Sequence, residues 1–417
     1  MRALLRAPPA TGSRALATRH RARPLAASRA SPSDDPAVAA ERRKALERVT
    51  AELNKKLGAG SIIRLGDKKV QEIERSPSGA LTLDMALGGG WPRGKVIEIY
   101  GPESSGKTTL ALHAVAEVQK AGGMAAFIDA EHAFDPSYAA LLGVDVENLY
   151  FYQPAAGEEA LDVADELMRS RGIDIVVLDS VSALVPRAEL EGTMDQIQVG
   201  AQARMMSKGL KKLIQSASKS NCMMVFLNQL RNKVGVIYGS PEVTSGGNAL
   251  KYYASVRCDV RQRGPLAEGA GNPIGLRVQA KIKKNKTAPP GREAGFDILF
   301  DSGIDTIGCV VDAAETLGVM TRRGAYYYYE DELVAQGRTR TIEALKGDAG
   351  RLEAIVGSVR DLMRGTVAGL GTKLGASAMD AAEDAATDAV AGDSSGEEDV
   401  ELGEEEEEEE EGEMMSG

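Results

Sequence analysis

Residues 101–109 read Gly-Pro-Glu-Ser-Ser-Gly-Lys-Thr-Thr, which is a complete G-x-x-x-x-G-K-[ST] sequence. The apolar, β-branched run before it, residues 96–100, predicts a strand, and residues 109–115 after it predict a helix. In such a strand–loop–helix, backbone N–H groups of the glycine-rich turn cradle phosphates at the helix N-terminus. The chain is therefore expected to be an α/β protein that binds a nucleoside triphosphate. The residues of this phosphate loop are Gly101, Pro102, Glu103, Ser104, Ser105, Gly106, Lys107, Thr108 and Thr109.

Two side chains of the loop have predictable tasks. Lys107 is expected to reach the β- and γ-phosphates, and the Thr108 hydroxyl is expected to hold Mg²⁺. A second apolar run, residues 173–178, predicts a strand that ends in Asp179. In phosphate-loop enzymes an Asp at such a strand end holds the hydration shell of Mg²⁺. An isolated Asp after a strand is more often a turn former, so this assignment depends on the phosphate loop.

Two further strand ends carry polar side chains suited to hydrolysis. Glu131 follows the predicted strand at residues 125–128 and is the candidate for orienting and activating the attacking water. Gln229 follows the predicted strand at residues 223–227, and its neutral amide can sense the γ-phosphate by hydrogen bonding. Because ligands of open α/β sheets bind beyond the carboxyl ends of strands, both side chains are expected near the phosphate loop.

The segment after Gln229, residues 231–247, combines glycines with basic residues and an aromatic residue. Mobile backbone, cations for phosphates and a ring for stacking suit a loop that binds single-stranded DNA, and an ordinary surface loop is the alternative. Its direct connection to Gln229 predicts that the loop responds to the bound nucleotide. The candidate DNA-binding residues of this segment are Arg231, Lys233, Tyr238, Gly246 and Gly247.

The formal net charge of −11 arises from the C-terminal end of the chain. Residues 1–33 carry seven Arg and no acid, residues 374–417 carry 18 Asp and Glu and no base, and the body between is neutral. The basic start is typical of an organelle transit peptide, with a nucleic-acid-binding arm as the alternative. The acidic tail is expected to be disordered and to compete with nucleic acid for a basic surface. Three scattered cysteines indicate buried free thiols, and no apolar run suits a membrane helix.

Several segments together resemble the bacterial-type RecA recombinases. The resemblance covers about residues 40–365 in unbroken order, and it is specific because few phosphate-loop ATPases share the later segments. The segments that carry it are residues 101–109, 127–132, 203–207, 228–230, 246–251, 253–257 and 284–286. It implies a homo-oligomeric helical filament on single-stranded DNA, with ATP and Mg²⁺ at subunit interfaces, and homologous pairing and strand exchange with double-stranded DNA.

The resemblance also implies roles for individual residues. It makes Glu131 the water-activating acid and Gln229 the switch that reads the γ-phosphate. Residues 191–200 correspond to the first DNA-binding loop and residues 231–247 to the second. The further residues with implied roles are Tyr138 and Asp135 at the adenine, Arg204 at DNA, and Lys284 and Lys286 as cationic clamps on the ATP of the adjacent subunit.

The chain departs from the family pattern at three places. Residues 193–198 replace a Gly-Asp-His-like stretch of the first DNA loop, so the DNA contacts there are expected to differ from those of the family. Phe300 and Asp301 stand where the family commonly has an aromatic residue followed by Gly. Residues 325–329, Ala-Tyr-Tyr-Tyr-Tyr, replace a segment that contains Trp, and we interpret these tyrosines first as core residues.

The alternation of predicted strands and helices from Ser78 onward favours a RecA-like core with a mainly parallel sheet and helices on both faces. An amphipathic helix at residues 41–57 precedes the core and is expected either to pack back or to dock on a neighbouring subunit. The predicted organisation is a transit peptide at 1–33, an N-terminal oligomerisation helix at 34–60, an ATPase core with the DNA-binding loops at 61–305, a small C-terminal α/β domain at 306–367, and a disordered acidic tail at 368–417.

Two other functions remain open on the sequence alone. One is a phosphate-loop motor or signalling ATPase on the same core, such as a ring helicase. The other is a DNA-coating protein that binds ATP only to hold its shape. A bacterial-type recombinase with a transit peptide implies an organelle that keeps its own DNA. Residues 227–230 and 288–290 resemble versions from photosynthetic bacteria, which favours the plastid over the mitochondrion.

Overall fold

The computed structural model describes residues 36–58, 60–64, 73–192, 200–232, 242–267 and 272–364. The chain divides into two units, residues 1–72 and residues 73–417. The strands of the second unit are β1 Arg75–Ser76, β2 Trp91–Pro92, β3 Val96–Gly101, β4 Ala125–Asp129, β5 Leu149–Tyr152, β6 Ile175–Asp179, β7 Met223–Asn232, β8 Glu242–Thr244, β9 Val256–Ala267, β10 Pro273–Asn285, β11 Glu293–Leu299, β12 Gly303–Ile304, β13 Met320–Arg323, β14 Tyr326–Tyr329 and β15 Glu332–Gln336. The α-helices of both units are α1 Pro36–Leu57, α2 Leu81–Leu87, α3 Lys107–Lys120, α4 Pro136–Leu141, α5 Gly157–Arg169, α6 Arg187–Glu191, α7 Ala201–Ser220, α8 Ala249–Tyr253, α9 Thr306–Leu317, α10 Arg338–Lys346 and α11 at residues 349–364.

Helix α1 forms most of the described part of the first unit. It begins five residues before the predicted start at residue 41 and ends at Leu57, as the sequence predicts. The following Gly58 has a φ of 106°, and its N–H donates to the Asn54 carbonyl at 3.0 Å, which closes the last turn. The apolar residues Leu46 and Val49 on the helix are exposed.

A large mixed sheet organises the second unit. Its strands follow the order β12-β11-β10-β9-β3-β7-β6-β4-β5, and β8 pairs with β7 beside this path. Neighbours from β5 to β9 are parallel, so the predicted parallel sheet is confirmed for this half. Neighbours from β9 to β12 are antiparallel, because short connections between consecutive strands reverse the chain instead of crossing over through a helix.

Both faces of the parallel half are covered by apolar side chains. In β6, Ile175 and Val177 join the cluster that contains the α3 residues, whereas Val176 and Leu178 join the cluster that contains α5 and α7. Successive strand residues point to opposite faces, so a strand buried on both sides has a continuous apolar run. This explains why the run before Asp179 shows no polar alternation.

The C-terminal part packs helices α9, α10 and α11 with the antiparallel sheet β13-β14-β15. Arg338 at the start of α10 forms ion pairs with Asp312 at 2.8 Å and Asp297 at 3.6 Å, and so connects α10 with α9 and β11. Within the tyrosine run, Tyr327 is a core residue with 3% exposure, whereas Tyr326 is 41% exposed. Among the described helices, none is both long enough and apolar enough to cross a membrane.

One predicted strand end is wrong in a way that matters for the site. The strand predicted at residues 223–227 continues through Asn232 as β7, and residues 230–232 pair antiparallel with β8. Arg231 is opposite Val243 in this ladder. The segment predicted to be flexible from residue 231 therefore contains the end of β7 and all of β8, which pair with each other. Residues 233–241 lie outside the described residues.

Candidate functional site

The carboxyl ends of four parallel strands meet at one edge of the sheet. The register places Gly101 of β3 beside Gln229 of β7, and Asp129 of β4 beside Asp179 of β6. Glu131 lies just beyond β4, and its N–H donates to the Asp179 carbonyl at 3.2 Å. The fold thus brings together the loop, the acids and the amide that the sequence placed at separate strand ends.

Close packing favours glycine at both glycine positions of the phosphate-loop sequence, Gly101 and Gly106. A Cβ atom at Gly101 would lie 2.0 Å from the Val260 carbonyl oxygen, and one at Gly106 would lie 2.5 Å from Ile298 Cδ1. Gly106 also has a φ of 89°, which favours glycine. The loop is therefore pressed against β9 and β11 and leads directly into the N-terminus of α3, where N–H groups favour phosphate.

The side chains of the loop fit a phosphate. Lys107 Nζ donates to the carbonyl of Gly101 at 3.2 Å and to that of Pro102 at 2.6 Å. Burial lowers the pKa of the Lys107 ammonium, and the nearby Asp179 and Glu131 carboxylates oppose this shift. The Ser105 hydroxyl is buried and has no hydrogen-bond partner among the described residues. A buried polar atom of this kind is explained when a ligand accepts or donates the missing bond.

Thr108 and Asp179 fit the predicted Mg²⁺ site. Thr108 Oγ1 donates to Asp179 Oδ2 at 2.8 Å. Burial raises the pKa of Asp179 to about 6, against the effect of the Thr108 hydrogen bond. Mg²⁺ usually keeps several waters and binds one or two carboxylates together with substrate phosphates. Oxygens of a bound phosphate and water would therefore complete this site. Within the described part of the chain, no group of three or more His, Cys, Asp or Glu residues is placed to hold a metal ion.

Glu131 is hydrogen-bonded to the candidate switch. Its Oε1 accepts from Gln229 Nε2 at 3.0 Å and also from the Ser180 hydroxyl. The Ser180 hydroxyl in turn lies within hydrogen-bond distance of the Ser182 hydroxyl. Sequence reasoning missed both serines, although Ser180 directly follows Asp179 and the strand-end rule could have included it. The acid and the amide assigned to hydrolysis therefore already form one network.

Asp129 is a further residue to which sequence reasoning gave no role of its own. Its carboxylate accepts from the backbone N–H groups of Ala133 at 3.3 Å and Phe134 at 3.1 Å, and from Gln153 Nε2 at 3.1 Å. These bonds fix the turn that carries Glu131. The position of Asp129 at the end of an apolar strand was the available indication.

The residues predicted at the adenine lie beside α3. The Tyr138 hydroxyl is 2.9 Å from Thr109 Oγ1, so the Tyr138 ring is held beside the first turn of α3. Asp135 is the N-cap of α4, and its Oδ1 accepts from the N–H groups of Ser137 at 2.8 Å and Tyr138 at 3.2 Å. Asp135 therefore positions the helix turn that carries Tyr138.

Lys284 and Lys286 lie near the amino end of β3, whereas the phosphate loop follows its carboxyl end. Strand β10 runs antiparallel to β9, and its last residues pair with Val256 and Arg257 at the start of β9. Val256 in turn pairs with Ile97 at the start of β3, whereas Gly101 ends that strand. Lys284 Nζ donates to the backbone carbonyls of Lys251 at 2.9 Å and Tyr252 at 2.8 Å. The two lysines are thus not brought to the nucleotide site of their own chain.

The described candidate DNA-binding residues lie at the ends of the second DNA loop and just after the first. Arg204 lies in the first turn of α7, and Arg231 is exposed on β7. Gly246 and Gly247 have φ values of 81° and 74°, and Cβ atoms there would lie 2.7 Å from Val181 Cγ1 and Ala203 Cβ, respectively. The return of the second loop is therefore packed against Val181, which follows β6, and against α7, which follows the first loop. Residues 193–199, Lys233 and Tyr238 lie outside the described residues.

A phosphate loop between a parallel strand and a helix, with acids at the neighbouring strand ends, defines a P-loop nucleoside triphosphatase. The family model of the RecA N-terminal domain matches residues 44–305, and that of the RecA C-terminal domain matches residues 308–364. Protein RecA of Arthrospira platensis is 57% identical over 325 residues, which cover 78% of this chain and 89% of that protein. Protein RecA of Picosynechococcus is 54% identical over 331 residues, which cover 79% of this chain and 95% of that protein. The chain belongs to the RecA family of DNA-dependent ATPases and recombinases, as the sequence motifs indicate.

Proposed function

We propose that this protein hydrolyses ATP as a filament on single-stranded DNA and thereby pairs and exchanges homologous DNA in an organelle. The observation that carries the proposal is the hydrogen bond between Glu131 and Gln229 at the edge that holds the phosphate loop. It joins a water-activating acid to an amide whose strand continues directly into the second DNA loop. A passive coat, which does not hydrolyse ATP, needs no such connection.

The hydrolytic roles follow from position. Lys107 would leave its two carbonyl partners for the β- and γ-phosphates, and Glu131 would accept the proton of the attacking water. Thr108 would bind Mg²⁺ directly and Asp179 through water, and bound Mg²⁺ would neutralise charge that develops on the phosphates. Gln229 would exchange its bond to Glu131 for one to the γ-phosphate. Tyr138 would stack on the adenine, with Asp135 holding its turn.

The clamp residues act on a neighbouring subunit in this proposal. Lys284 and Lys286 lie at the sheet edge opposite their own phosphate loop, so only a second copy could present an ATP to them. Burial and the charges of Lys286 and Arg257 lower the pKa of Lys284, against the effect of Glu98. A cation that is only partly solvated stabilises transition-state charge more effectively than one in bulk water.

A mixing experiment tests this arrangement. Neither Lys107→Ala nor Lys284→Ala combined with Lys286→Ala should hydrolyse ATP alone, because each lacks one half of the interfacial site. Random mixing of equal amounts should restore about one quarter of the DNA-stimulated rate, because one interface in four then combines an intact loop with an intact clamp. No restoration in mixed filaments would show that the lysines act within their own chain.

Two exposed apolar surfaces support assembly into a filament. Leu46 and Leu57 on α1 are each 67% exposed. Separately, Tyr150 and Phe151 on β5 are 53% and 46% exposed, and β5 is the edge strand of the large sheet. Exposed apolar residues and an unpaired strand edge are the features that association with another copy would cover.

DNA binding is assigned to the residues around the two loops. Arg204 and Arg231 would contact phosphates, and the turns at Gly246 and Gly247 would set where the second loop returns. Lys233 and Tyr238 would supply a further cation and a stacking ring. The altered first loop, residues 193–198, would change the local contacts without changing the hydrolytic residues.

The organelle assignment depends on the sequence. The arginine-rich residues 1–33 precede the family match, which begins at residue 44, and the relatives are cyanobacterial. Residues 1–33 would be removed on import into the plastid, 34–60 would join subunits, 61–305 would bind ATP and DNA, 306–367 would form the small domain, and 368–417 would modulate DNA binding. A fluorescent protein fused behind residues 1–60 should enter plastids. Uptake by mitochondria alone, or by neither organelle, would overturn this assignment.

A further inference from the structure

A buried carboxylate lies in the strand that leads into the phosphate loop and contacts neither the loop nor the hydrolytic residues described above. It belongs to Glu98 in β3, whose side chain is fully buried at 0% exposure. Burying a carboxylate is costly unless it is paired and hydrogen-bonded, so the partners of Glu98 indicate why it is there.

Glu98 connects three neighbouring strands. Its Oε1 accepts from Asn228 Nδ2 of β7 at 3.0 Å, and its Oε2 accepts from Arg257 Nε of β9. The Arg257 guanidinium also lies over the ring of Tyr100, 4.5 Å from the ring centroid. Both carboxylate oxygens therefore have charged or amide donors, and the group is held in one orientation.

The partner Asn228 holds two functional segments at once. It is also fully buried, and its Oδ1 accepts from the backbone N–H of Gln229 at 2.9 Å. Its Nδ2 donates to the backbone carbonyl of Ser245 at 3.1 Å as well as to Glu98. One amide thus fixes the backbone of the candidate switch and the return of the second DNA loop.

We propose that Glu98 is a positioning residue that, through Asn228, couples the nucleotide at Gln229 to DNA at the second loop. The inference rests on the proposed function. The carboxylate at Glu98 accepts only, so it requires the NH₂ group of Asn228 to face it and the oxygen to face the Gln229 N–H. Without that constraint the amide can reverse, and Gln229 and Ser245 lose their common anchor.

The coupling is measurable as a ratio of DNA affinities. By thermodynamic linkage, ATP changes the affinity for DNA by the same factor by which DNA changes the affinity for ATP. The dissociation constant of the full chain for fluorescein-labelled oligo(dT) is measured by anisotropy with ADP and with a non-hydrolysable ATP analogue. We expect Glu98→Gln to reduce the ratio of the two constants at least about fivefold, with the ADP value within about twofold of the unsubstituted protein.

Two further variants separate positioning from folding. Asn228→Ser keeps the Glu98–Arg257 pair but is too short to bridge Gln229 and Ser245, so it should reduce the ratio similarly. Asp165→Asn is the matched control: it also replaces a buried carboxylate, one that accepts from the Ser216 hydroxyl between α5 and α7. It should leave the ratio unchanged.

The outcomes are distinct. An unchanged ratio in Glu98→Gln, or an equal loss of affinity with both nucleotides, would overturn the proposal. If Glu98→Gln does not fold, a normal ratio in Asn228→Ser overturns it and a reduced ratio supports it. The absence of any nucleotide dependence in the unsubstituted protein would instead contradict the proposed function.

Discussion

Replacing His113 with Gln should remove a pH-dependent part of the stability of the ATPase core. His113 lies in α3, the helix that follows the phosphate loop, and is 5% exposed. Its Nε2 accepts from the backbone N–H of Ile304 at 2.9 Å, which a protonated imidazole could not do. Burial, assisted by the charge of Lys120, lowers the pKa of His113 from its ordinary 6.5 to about 4.

The size of the loss in stability follows from the difference between the pKa values of His113 in the unfolded and the folded chain. Between about pH 6.5 and pH 4 the unfolded chain binds a proton at His113 and the folded chain does not. The folded state therefore has the full contribution above pH 6.5 and loses it progressively as the pH falls toward 4. By pH 5.0 the expected loss is about 2 kcal/mol of the free energy of unfolding, and the limit at lower pH is about 3 kcal/mol.

Urea unfolding of the full chain and of His113→Gln at pH 7.5 and 5.0 measures the effect. Gln keeps an acceptor for the Ile304 N–H and cannot gain the proton. The pKa of Asp84, raised by burial to about 6, contributes equally to both proteins and cancels in the comparison. We expect the unsubstituted protein to lose about 2 kcal/mol more than the variant.

A direct titration checks the cause. The chain has three histidines, so ¹³C-labelled histidine spectra can be assigned with the His113→Gln variant. The His113 resonance should remain that of the neutral ring at pH 5.5. A titration midpoint near 6.5, or the same pH dependence of unfolding in both proteins, would refute the reasoning.

Three other changes test separate parts of the molecule. Gly106→Ala should abolish binding of a fluorescent ATP analogue, because alanine rarely adopts the φ of 89° found there and its Cβ would lie 2.5 Å from Ile298 Cδ1; normal affinity would contradict this requirement for glycine. Glu131→Gln should keep filaments visible by electron microscopy but lower DNA-stimulated turnover at least about 100-fold; unchanged hydrolysis would exclude Glu131 as the acid. Deleting residues 374–417 should tighten binding to duplex DNA at moderate salt, since a tethered polyanion is removed; equal affinities would exclude competition by the tail.

The sequence predicts the local parts of the site well. The phosphate loop needs particular residues at fixed spacing, and Asp179 and Glu131 follow apolar runs whose ends a parallel sheet must align. Gln229 was found by the same rule, although its strand is longer than predicted. The polar residues after Leu227 hid this continuation, because their pairing with β8 depends on a hairpin and not on apolar pattern.

The missed features depend on contacts between distant segments. The register of β6 with β4 places Ser180 beside Glu131, and no spacing in the sequence indicates it. Glu98 is one acid within an apolar run, and only the neighbouring strands show that its partners are Asn228 and Arg257. The antiparallel half of the sheet likewise arises from chain reversals that the alternation of strands and helices did not specify.

ATP hydrolysis by the full chain, with and without single-stranded DNA, is the most direct test of DNA-coupled turnover. The Lys107→Ala variant supplies the blank, because it lacks the ammonium that we propose contacts the phosphates. We expect strong stimulation by DNA that disappears in the variant. DNA binding without stimulated hydrolysis would contradict the coupling through Gln229, and the absence of both binding and stimulation would contradict the recombinase function itself.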